Sequence, residues 1–148
     1  MFTRKNSVLA VLTVILVFAT QGLASAPVLP NPVLYLLGQE AFLSGGKNFV
    51  RYRFDVANKT EYGDDLFAAS PDLPPCGANK KSARTWVVVY DQSGKQLQEF
   101  CAFGKSQDLG TIWFALEDGT VPPSYVYIEM TDRKTNTKYK SNLAETTL

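Results

Sequence analysis

The sequence predicts an all-β fold, a single antiparallel sandwich of two sheets with about seven strands. Short segments rich in β-branched and aromatic residues recur along the 148-residue chain, and turn-forming residues separate them. No segment beyond the N-terminal region shows the 3.6-residue hydrophobic period of an amphipathic helix. The apolar fraction of 45% and the charged fraction of 20% are those of one globular domain, which the length also allows.

The first 26 residues have the layout of a secretory signal peptide. Two basic residues, Arg4 and Lys5, precede an apolar run from Val8 to Ala19, and small residues follow it. The run is shorter than the about 20 residues that a membrane-spanning helix needs. Cleavage after Ala24 is favoured over cleavage after Ala26, because the latter would leave a proline directly behind the cut. We therefore expect residues 1–24 to be removed and the protein to be secreted or periplasmic, with membrane contact only through the export signal.

Composition excludes several classes of activity. The chain contains no His, which excludes Ser-His-Asp hydrolysis, Cys-His catalysis and His-ligated zinc. Removal of Arg4 and Lys5 with the signal peptide leaves 13 basic and 14 acidic residues, a net charge of −1 (13 minus 14). A nucleic-acid partner is not expected, because such proteins need a basic face to neutralise phosphates. No nucleophile with an activator is evident, so we expect a non-catalytic protein without a cofactor.

The domain is expected to begin with an extended lead-in and two strands. Prolines make residues 27–32 extended. The first strand is expected at Val33–Phe42, with a break or bulge at Gly38. The second, Asn48–Asn58, shows the clearest alternation in the chain. Its expected inward residues are Val50, Tyr52, Phe54 and Val56, and its outward residues are Arg51, Arg53 and Asp55.

A long loop and a hairpin are expected in the middle of the chain. Residues 59–82 contain many Gly and Pro residues, and Leu66–Ala69 is a candidate for a short edge strand. The apolar, β-branched segment Arg84–Asp91 is typical of a central strand. Gly94 can adopt the positive φ of a tight turn, so Gln96–Phe103 should return as the antiparallel neighbour.

Three further strands complete the expected sandwich. They are Thr111–Leu116, Tyr125–Asp132 and Lys138–Ser141, separated by turns. The domain is therefore assigned to residues 33–142, and residues 143–148 are expected to form a frayed tail.

One corner of the sequence resembles fibronectin type III domains, which are immunoglobulin-like sandwiches. Leu116, Pro122-Pro123 and the strand that begins at Tyr125 are similar to that family's entry into its sixth strand, where a tyrosine hydroxyl bonds back to the preceding loop. The resemblance extends over residues 33–142 and implies this role for Tyr127. That family usually lacks a disulfide, so the two cysteines of this chain depart from it.

Short segments also resemble a group of small exported bacterial proteins of unassigned function. These segments are DLPPCG, RTWV, FCAF, IWFAL, PPSYVYI and TDR. This second resemblance implies a fold and an export route, and it implies no activity.

Cys76 and Cys101 are the only cysteines of the chain. An oxidising compartment favours a disulfide between them, and two free buried thiols are the alternative. Closing a separation of 25 positions would contribute roughly 3 to 4 kcal/mol in the chain-entropy model. The bond would require the residues before Cys76 to fold back across the hairpin, which would hold Pro74 and Pro75 against the sheet.

The loop Ser70–Asn79 is the first candidate binding site. Its prolines restrict the backbone, and a stiff loop loses less entropy when it binds. The alternative is a crossover that is clamped down only because it must lie over the sandwich. The candidate contact residues are Asp72, Leu73, Pro74 and Pro75.

A group of acidic residues is the second candidate site. The carboxylates of Glu61, Asp64, Asp65 and Asp72 could hold Ca²⁺, but they lack the regular ligand spacing of a calcium-binding motif. Solvated charges on a loop are the simpler interpretation, so no metal site is predicted.

Exposed aromatic side chains could stack on sugar rings. Of the aromatic candidates, Trp86 is expected in the core and Trp113 is expected to be partly exposed. Asn58-Lys59-Thr60 matches the N-glycosylation sequon.

The main functional expectation is an exported binding module. Its partner would be a protein or another macromolecule of the cell envelope or the extracellular space. One alternative is a protease-inhibitor-like protein that acts through the loop Pro71–Asn79. Another is a carbohydrate-binding module that uses Trp113.

Overall fold

The computed structural model describes residues 28–78 and 80–147, which form two antiparallel sheets packed on a common hydrophobic core. The all-β sandwich expected from the sequence is confirmed. The predicted signal peptide lies outside the described residues. The strands are β1 (Leu34–Ser44), β2 (Lys47–Val56), β3 (Thr85–Asp91), β4 (Gln96–Phe100), β5 (Ile112–Glu117), β6 (Tyr125–Asp132), β7 (Thr137–Lys140) and β8 (Ala144–Glu145).

The first sheet contains three strands in the order β1-β2-β5. The register of β1 against β2 shifts between Leu36 and Gly38, which confirms the bulge expected at Gly38. The alternation of β2 is also confirmed, since Tyr52 and Phe54 are buried. Phe114 of β5 lies opposite Tyr52, and the centroids of their stacked rings are 4.8 Å apart. These aromatic pairs form the inner face of the first sheet.

The second sheet has the order β4-β3-β6-β7, and β8 pairs with β6 beyond the end of β7. As predicted, β3 and β4 are antiparallel neighbours joined by a tight turn. Gly94 has a φ of +86° in this turn, and the Asp91 carboxylate accepts a hydrogen bond from the Lys95 N–H at 2.9 Å. Val87 and Val89 of β3 are fully buried, which is typical of a central strand.

The long segment between β2 and β3 differs from the expected loop. Leu66 and Phe67 are both buried in the core, and of residues 66–69 only Ala69 forms a bridge, to Ala83. The short edge strand expected at 66–69 is therefore replaced by a helical turn. Two adjacent apolar side chains can both enter the core from such a turn, whereas in a strand they would point to opposite faces. The 3-10 helices of the described residues are Lys59–Glu61, Asp64–Phe67 and Ser106–Thr111.

The expectation of a frayed tail at 143–148 is wrong for the residues that are described. Ala144 is buried in β8, and Thr146 is fully buried. The Thr146 N–H donates to the Ser124 carbonyl at 3.1 Å, and Gln39 Nε2 of β1 donates to the Thr146 carbonyl at 2.9 Å. The segment therefore connects the two sheets. Its two-residue strand is too short to give an alternation that the sequence could reveal.

The proline-rich lead-in packs on the domain through two polar side chains. The Tyr62 hydroxyl donates to the Pro30 carbonyl at 2.9 Å, and burial raises the pKa of Tyr62 to about 12. Asn58 Nδ2 donates to the Asn31 carbonyl at 3.1 Å, and Asn58 Oδ1 accepts from the Val33 N–H at 2.9 Å. The amide of the sequon is thus occupied by hydrogen bonds that hold the lead-in.

Candidate functional site

The outer face of the second sheet carries a row of apolar residues on β3. Trp86, Val88 and Tyr90 alternate with fully buried valines and line a surface groove. Trp86 is half-buried and packs against a small cluster that contains Cys76 and Cys101. Trp86 was expected in the core, and it instead lies half-buried against this second, smaller core cluster and not in the main one. The apolar run of β3 obscures this orientation, because both faces of the strand carry apolar side chains.

Strands β6 and β7 supply the polar side of this surface, which we call the Trp86 groove. It encloses about 380 Å³. Lys138 Nζ lies 2.8 Å from Glu129 Oε1, and this hydrogen bond raises the pKa of Lys138, which therefore stays cationic. The groove is lined mainly by Trp86, Tyr90, Glu129, Thr131, Arg133 and Lys138.

Tyr127 lies beside the groove on the same outer face. Its ring stacks on Tyr90 with centroids 5.3 Å apart, and Lys140 Nζ lies 4.1 Å from the Tyr127 ring centroid. Val126 and Ile128 are fully buried, so the alternation of β6 directs Tyr127 outward. The corner role that the fibronectin resemblance implied for Tyr127 is therefore wrong.

The loop 70–82, whose described residues are 70–78 and 80–82, lies at one end of the groove and is closed on itself. The Cys76 N–H donates to the Lys81 carbonyl at 3.0 Å. Cys76 and Cys101 are paired, with their Cα atoms 5.7 Å apart, within the range that a disulfide spans. Since Cys101 directly follows β4, the loop folds back across the β3–β4 hairpin, as the predicted bond requires.

Arg133 anchors the same loop from the other side. Its Nη1 donates to the Ala83 carbonyl at 3.0 Å, and its Nη2 donates to the Pro74 carbonyl at 2.5 Å. Within residues 28–78 and 80–147, no carboxylate forms an ion pair with Arg133. The positive charge of the guanidinium therefore has no carboxylate partner in this part of the chain, at the end of the Trp86 groove.

The candidate contact residues of the loop differ in their solvent exposure. Asp72, Pro74 and Pro75 are exposed, and Leu73 is half-buried. Asp72 Oδ2 lies 3.9 Å from Lys134 Nζ, which is a loose surface pair. The hydrogen bond to the Pro74 carbonyl holds this stretch near the sheet, as expected, while the proline rings stay exposed.

An ion pair between β6 and the residue before β3 supports the base of the loop. Arg84 Nε and Nη2 donate to Asp132 Oδ1 and Oδ2 at 3.0 and 2.8 Å, and the Asp132 side chain is only 4% exposed. The Lys134 N–H and the Thr135 hydroxyl also donate to this carboxylate, at 3.1 and 3.0 Å. The hydrogen bonds from Arg84 are the main reason that the pKa of Asp132 is lowered. The pair fixes the end of β6, from which Arg133 extends.

Trp113 lies on the outer face of the first sheet, where an arginine covers its ring. The Arg51 guanidinium carbon lies 4.9 Å from the Trp113 ring centroid and 4.6 Å from that of Phe42. Phe100 meets Trp113 edge to face at 6.2 Å. Trp113 is half-buried, but one ring face is occupied by a cation, so it does not form an open stacking platform.

The carboxylates considered for Ca²⁺ are engaged separately. Asp64 Oδ1 accepts hydrogen bonds from the Ser106 N–H and hydroxyl, each at 2.9 Å, and these bonds lower the pKa of Asp64. Asp65 pairs with Arg84 at 3.4 Å. In the part of the chain that the structure describes, no three Cys, Asp or Glu side chains come together as metal ligands.

The Trp86 groove and the Arg133 anchor are features that the sequence patterns did not reveal. The signal for the groove was present, since Trp86, Val88 and Tyr90 occupy alternate positions of one strand. Arg133 carries no local signal, because its two acceptors lie 50 and 59 residues away along the chain.

Comparison with known proteins does not assign the chain to a family. No protein-family model, curated protein or solved structure matches the chain. Among the described residues, no helix has the length and apolarity needed to cross a membrane. The geometry of the loop and the groove is therefore the basis for a functional proposal.

Proposed function

We propose that the protein is a secreted or periplasmic, non-catalytic β-sandwich that binds another macromolecule through the loop 70–82 and the Trp86 groove. The supporting observation is the double fixation of this loop by the Cys76–Cys101 pair and by Arg133. The loop nevertheless keeps Asp72 and both adjacent prolines exposed. A segment that is ordered before binding loses less conformational entropy when it binds.

The strand order supports a sandwich similar to fibronectin type III domains. The first, second and fifth strands form one sheet, and the fourth, third, sixth and seventh form the other. This division and its connections resemble those of immunoglobulin-like sandwiches, with β7 and β8 together in the place of the last strand. Such sandwiches present loops at the ends of a rigid scaffold, which suits a binding module.

Export is the part of the proposal that rests on the N-terminal sequence. The succession of basic, apolar and small residues before Pro27 is its support, and a cysteine pair is typical of oxidising compartments. N-terminal sequencing of the mature protein should begin at Ser25, or at Pro27 if the second cleavage site is used. Recovery of the intact N-terminus from the cytoplasm would contradict export.

Photo-crosslinking at single positions tests the binding surface. A photoreactive residue replaces Asp72 in one variant and Val121 in a control, because Val121 is 88% exposed at the opposite end of β6. We expect a discrete adduct with a component of the native cell envelope from position 72, and excess unmodified protein should abolish it. The absence of an adduct at position 72, or an equal adduct from position 121, would overturn the proposal.

Inhibition of a protease through the same loop is the alternative that its fixation favours. A panel of proteases separates the two functions. An inhibitor would slow substrate turnover while its loop stays intact, whereas a binding module would leave turnover unchanged. A carbohydrate site on Trp113 has less support, since Arg51 covers one face of that ring.

A further inference from the structure

Arg133 is a fixed cation that has no carboxylate partner in the described part of the chain. Its hydrogen bonds to the carbonyls of Pro74 and Ala83 orient the guanidinium without neutralising it. Arg84, whose carbonyl accepts the Arg133 N–H, differs because Asp132 neutralises it. A guanidinium can bond a carboxylate through two parallel N–H groups, so a fixed and uncompensated one is suited to recognise such a group on a ligand.

The groove beside Arg133 combines an aromatic surface with polar side chains. Trp86 and Tyr90 are four residues apart on one strand, which separates them by about 13 Å. Thr131 lies opposite Trp86 in the register, and the amide of Asn136 also lines the groove. A sugar ring carries C–H groups on its faces and hydroxyls on its rim, so it packs on an aromatic ring while it hydrogen bonds sideways. The volume of about 380 Å³ is within the range of small-ligand sites.

We propose that the Trp86 groove binds an acidic polysaccharide, with one sugar ring over Trp86 and the carboxylate of that sugar on Arg133. This assignment names the partner class for the binding surface proposed above, and it rests on that proposal. Charge complementarity supports it. Among the described residues that line the groove are two cations, Arg133 and Lys138, and one carboxylate, Glu129, which Lys138 already engages. A further carboxylate, Glu99, lies opposite Val88 on the same face, away from Arg133. A carboxylate from the ligand would neutralise the charge that remains on Arg133.

The position of the groove on a sheet face favours a sugar chain over a peptide. Extended peptides commonly add to a sheet by pairing with the free backbone groups of an edge strand. Trp86 and Thr131 stand on β3 and β6, which pair with each other and also with β4 and β7. Over Trp86 and Thr131 the groove therefore offers side chains and no free strand edge, and a free edge of the sheet lies at β7, which contributes Lys138 to the side of the groove.

Isothermal titration of the full chain tests the assignment with defined probes. The probes are oligomers of galacturonic acid and of mannuronic acid, and the methyl esters of both, which keep the sugar and remove the charge. We expect at least one acid oligomer to bind, its ester to bind at least tenfold more weakly, and added salt to reduce the affinity. An acidic peptide of equal charge should bind more weakly than the oligomer.

Three variants and one control variant locate the site. Lys138→Gln leaves Glu129 uncompensated, and Thr131→Val removes a hydroxyl at constant shape, so each should weaken binding of the acid oligomer by about tenfold. Arg53→Gln is the matched control, because Arg53 is an exposed arginine on the outer face of the first sheet. Arg133→Gln should abolish binding, but it also releases the loop, so the other two variants provide the decisive comparison.

Several results would overturn the assignment. Equal affinity for acid and ester would contradict recognition by Arg133, and equal affinity for the acidic peptide would contradict the sugar. Loss of binding in Arg53→Gln, with Lys138→Gln unchanged, would place the site on the other sheet. If no oligomer binds while the crosslink from position 72 persists, the polysaccharide is wrong and the binding module stands.

Discussion

The two sheets each carry a tryptophan and an arginine on their outer faces, and they use them differently. On the first sheet, the Arg51 guanidinium covers Trp113 and lies 3.8 Å from the Glu40 carboxylate. On the second sheet, the side-chain hydrogen bonds of Arg133 within the described residues go to backbone carbonyls, and Trp86 lines a groove beside it. An aromatic ring and a cation on one sheet face therefore do not by themselves indicate binding. The arginine that covers Trp113 is paired with Glu40, whereas Arg133 has no carboxylate partner among the described residues and remains available to a ligand. Arg53, which also lacks an ion pair among those residues, is the reason that the first sheet supplies the control variant.

Cys101→Ala should have the largest effect, and it should act on the second sheet. Removal of a native disulfide costs about 2 to 5 kcal/mol of unfolding free energy. We expect amide hydrogens of the loop 70–82 to exchange much faster in this variant, while those of β3 change less. Urea unfolding and hydrogen exchange measure both effects. Two titratable thiols in the denatured, unreduced wild-type protein would contradict the bond.

Asp132→Asn should cost about 2 to 3 kcal/mol, because it breaks the two-bond pair with Arg84 and leaves that guanidinium only the exposed carboxylate of Asp65, 3.4 Å away. Asp72→Asn is the matched control, since Asp72 is exposed and only loosely paired, 3.9 Å from Lys134. Urea unfolding at neutral pH measures the difference. Equal stability of the two variants would show that the base of the loop is not held by this pair.

The same carboxylate should give the second sheet a pH dependence. The pKa of Asp132 in the folded protein lies below its unfolded value of about 3.9. Its contribution to stability is therefore complete above that value and is lost as the pH falls through the folded pKa. The difference in unfolding free energy between wild type and Asp132→Asn should be constant from neutral pH to about pH 5 and shrink below about pH 4. A difference that grows in acid would contradict this linkage.

Arg51→Gln and Lys138→Gln should have opposite consequences for stability and for binding. Arg51→Gln removes two cation–π contacts, so it should cost about 1 kcal/mol of stability and leave binding of the acid oligomer unchanged. Lys138→Gln should leave the Tm unchanged within error and weaken binding. Thermal unfolding and titration of both variants test this. If Arg51→Gln weakened binding, the first sheet would contribute to the site.

The strand framework was predictable because its signals are local. Alternation marked β2, Gly38 marked the bulge, and Gly94 marked the hairpin between β3 and β4. The orientation of Trp86 was not predictable in the same way, because neither face of β3 is polar enough to identify the outside. Because both faces of β3 are apolar, the alternation of its residues does not show that Trp86 points outward and lines the candidate site.

The remaining errors arose where a residue's environment is set by distant segments. Leu66 and Phe67 enter the core from a helical turn in a segment whose Gly and Pro residues predict a loop. Thr146 is buried by contacts with Gln39 and Ser124, which no local pattern indicates. Arg133 depends on the carbonyls of a loop that is itself positioned by the cysteine pair. Local propensity carries no information about such contacts, which exist only after the sheets have assembled.

Strand β7 is an edge of the second sheet, and two of its four residues are Lys138 and Lys140. Exposed edge strands can pair with the edges of other molecules, and lysines on such a strand oppose that association by repulsion and by the cost of desolvating their charges. Lys138, which lines the groove, and Lys140 are therefore expected to oppose self-association through this edge. A variant with both lysines changed to Gln should self-associate as its concentration rises, and light scattering would detect this.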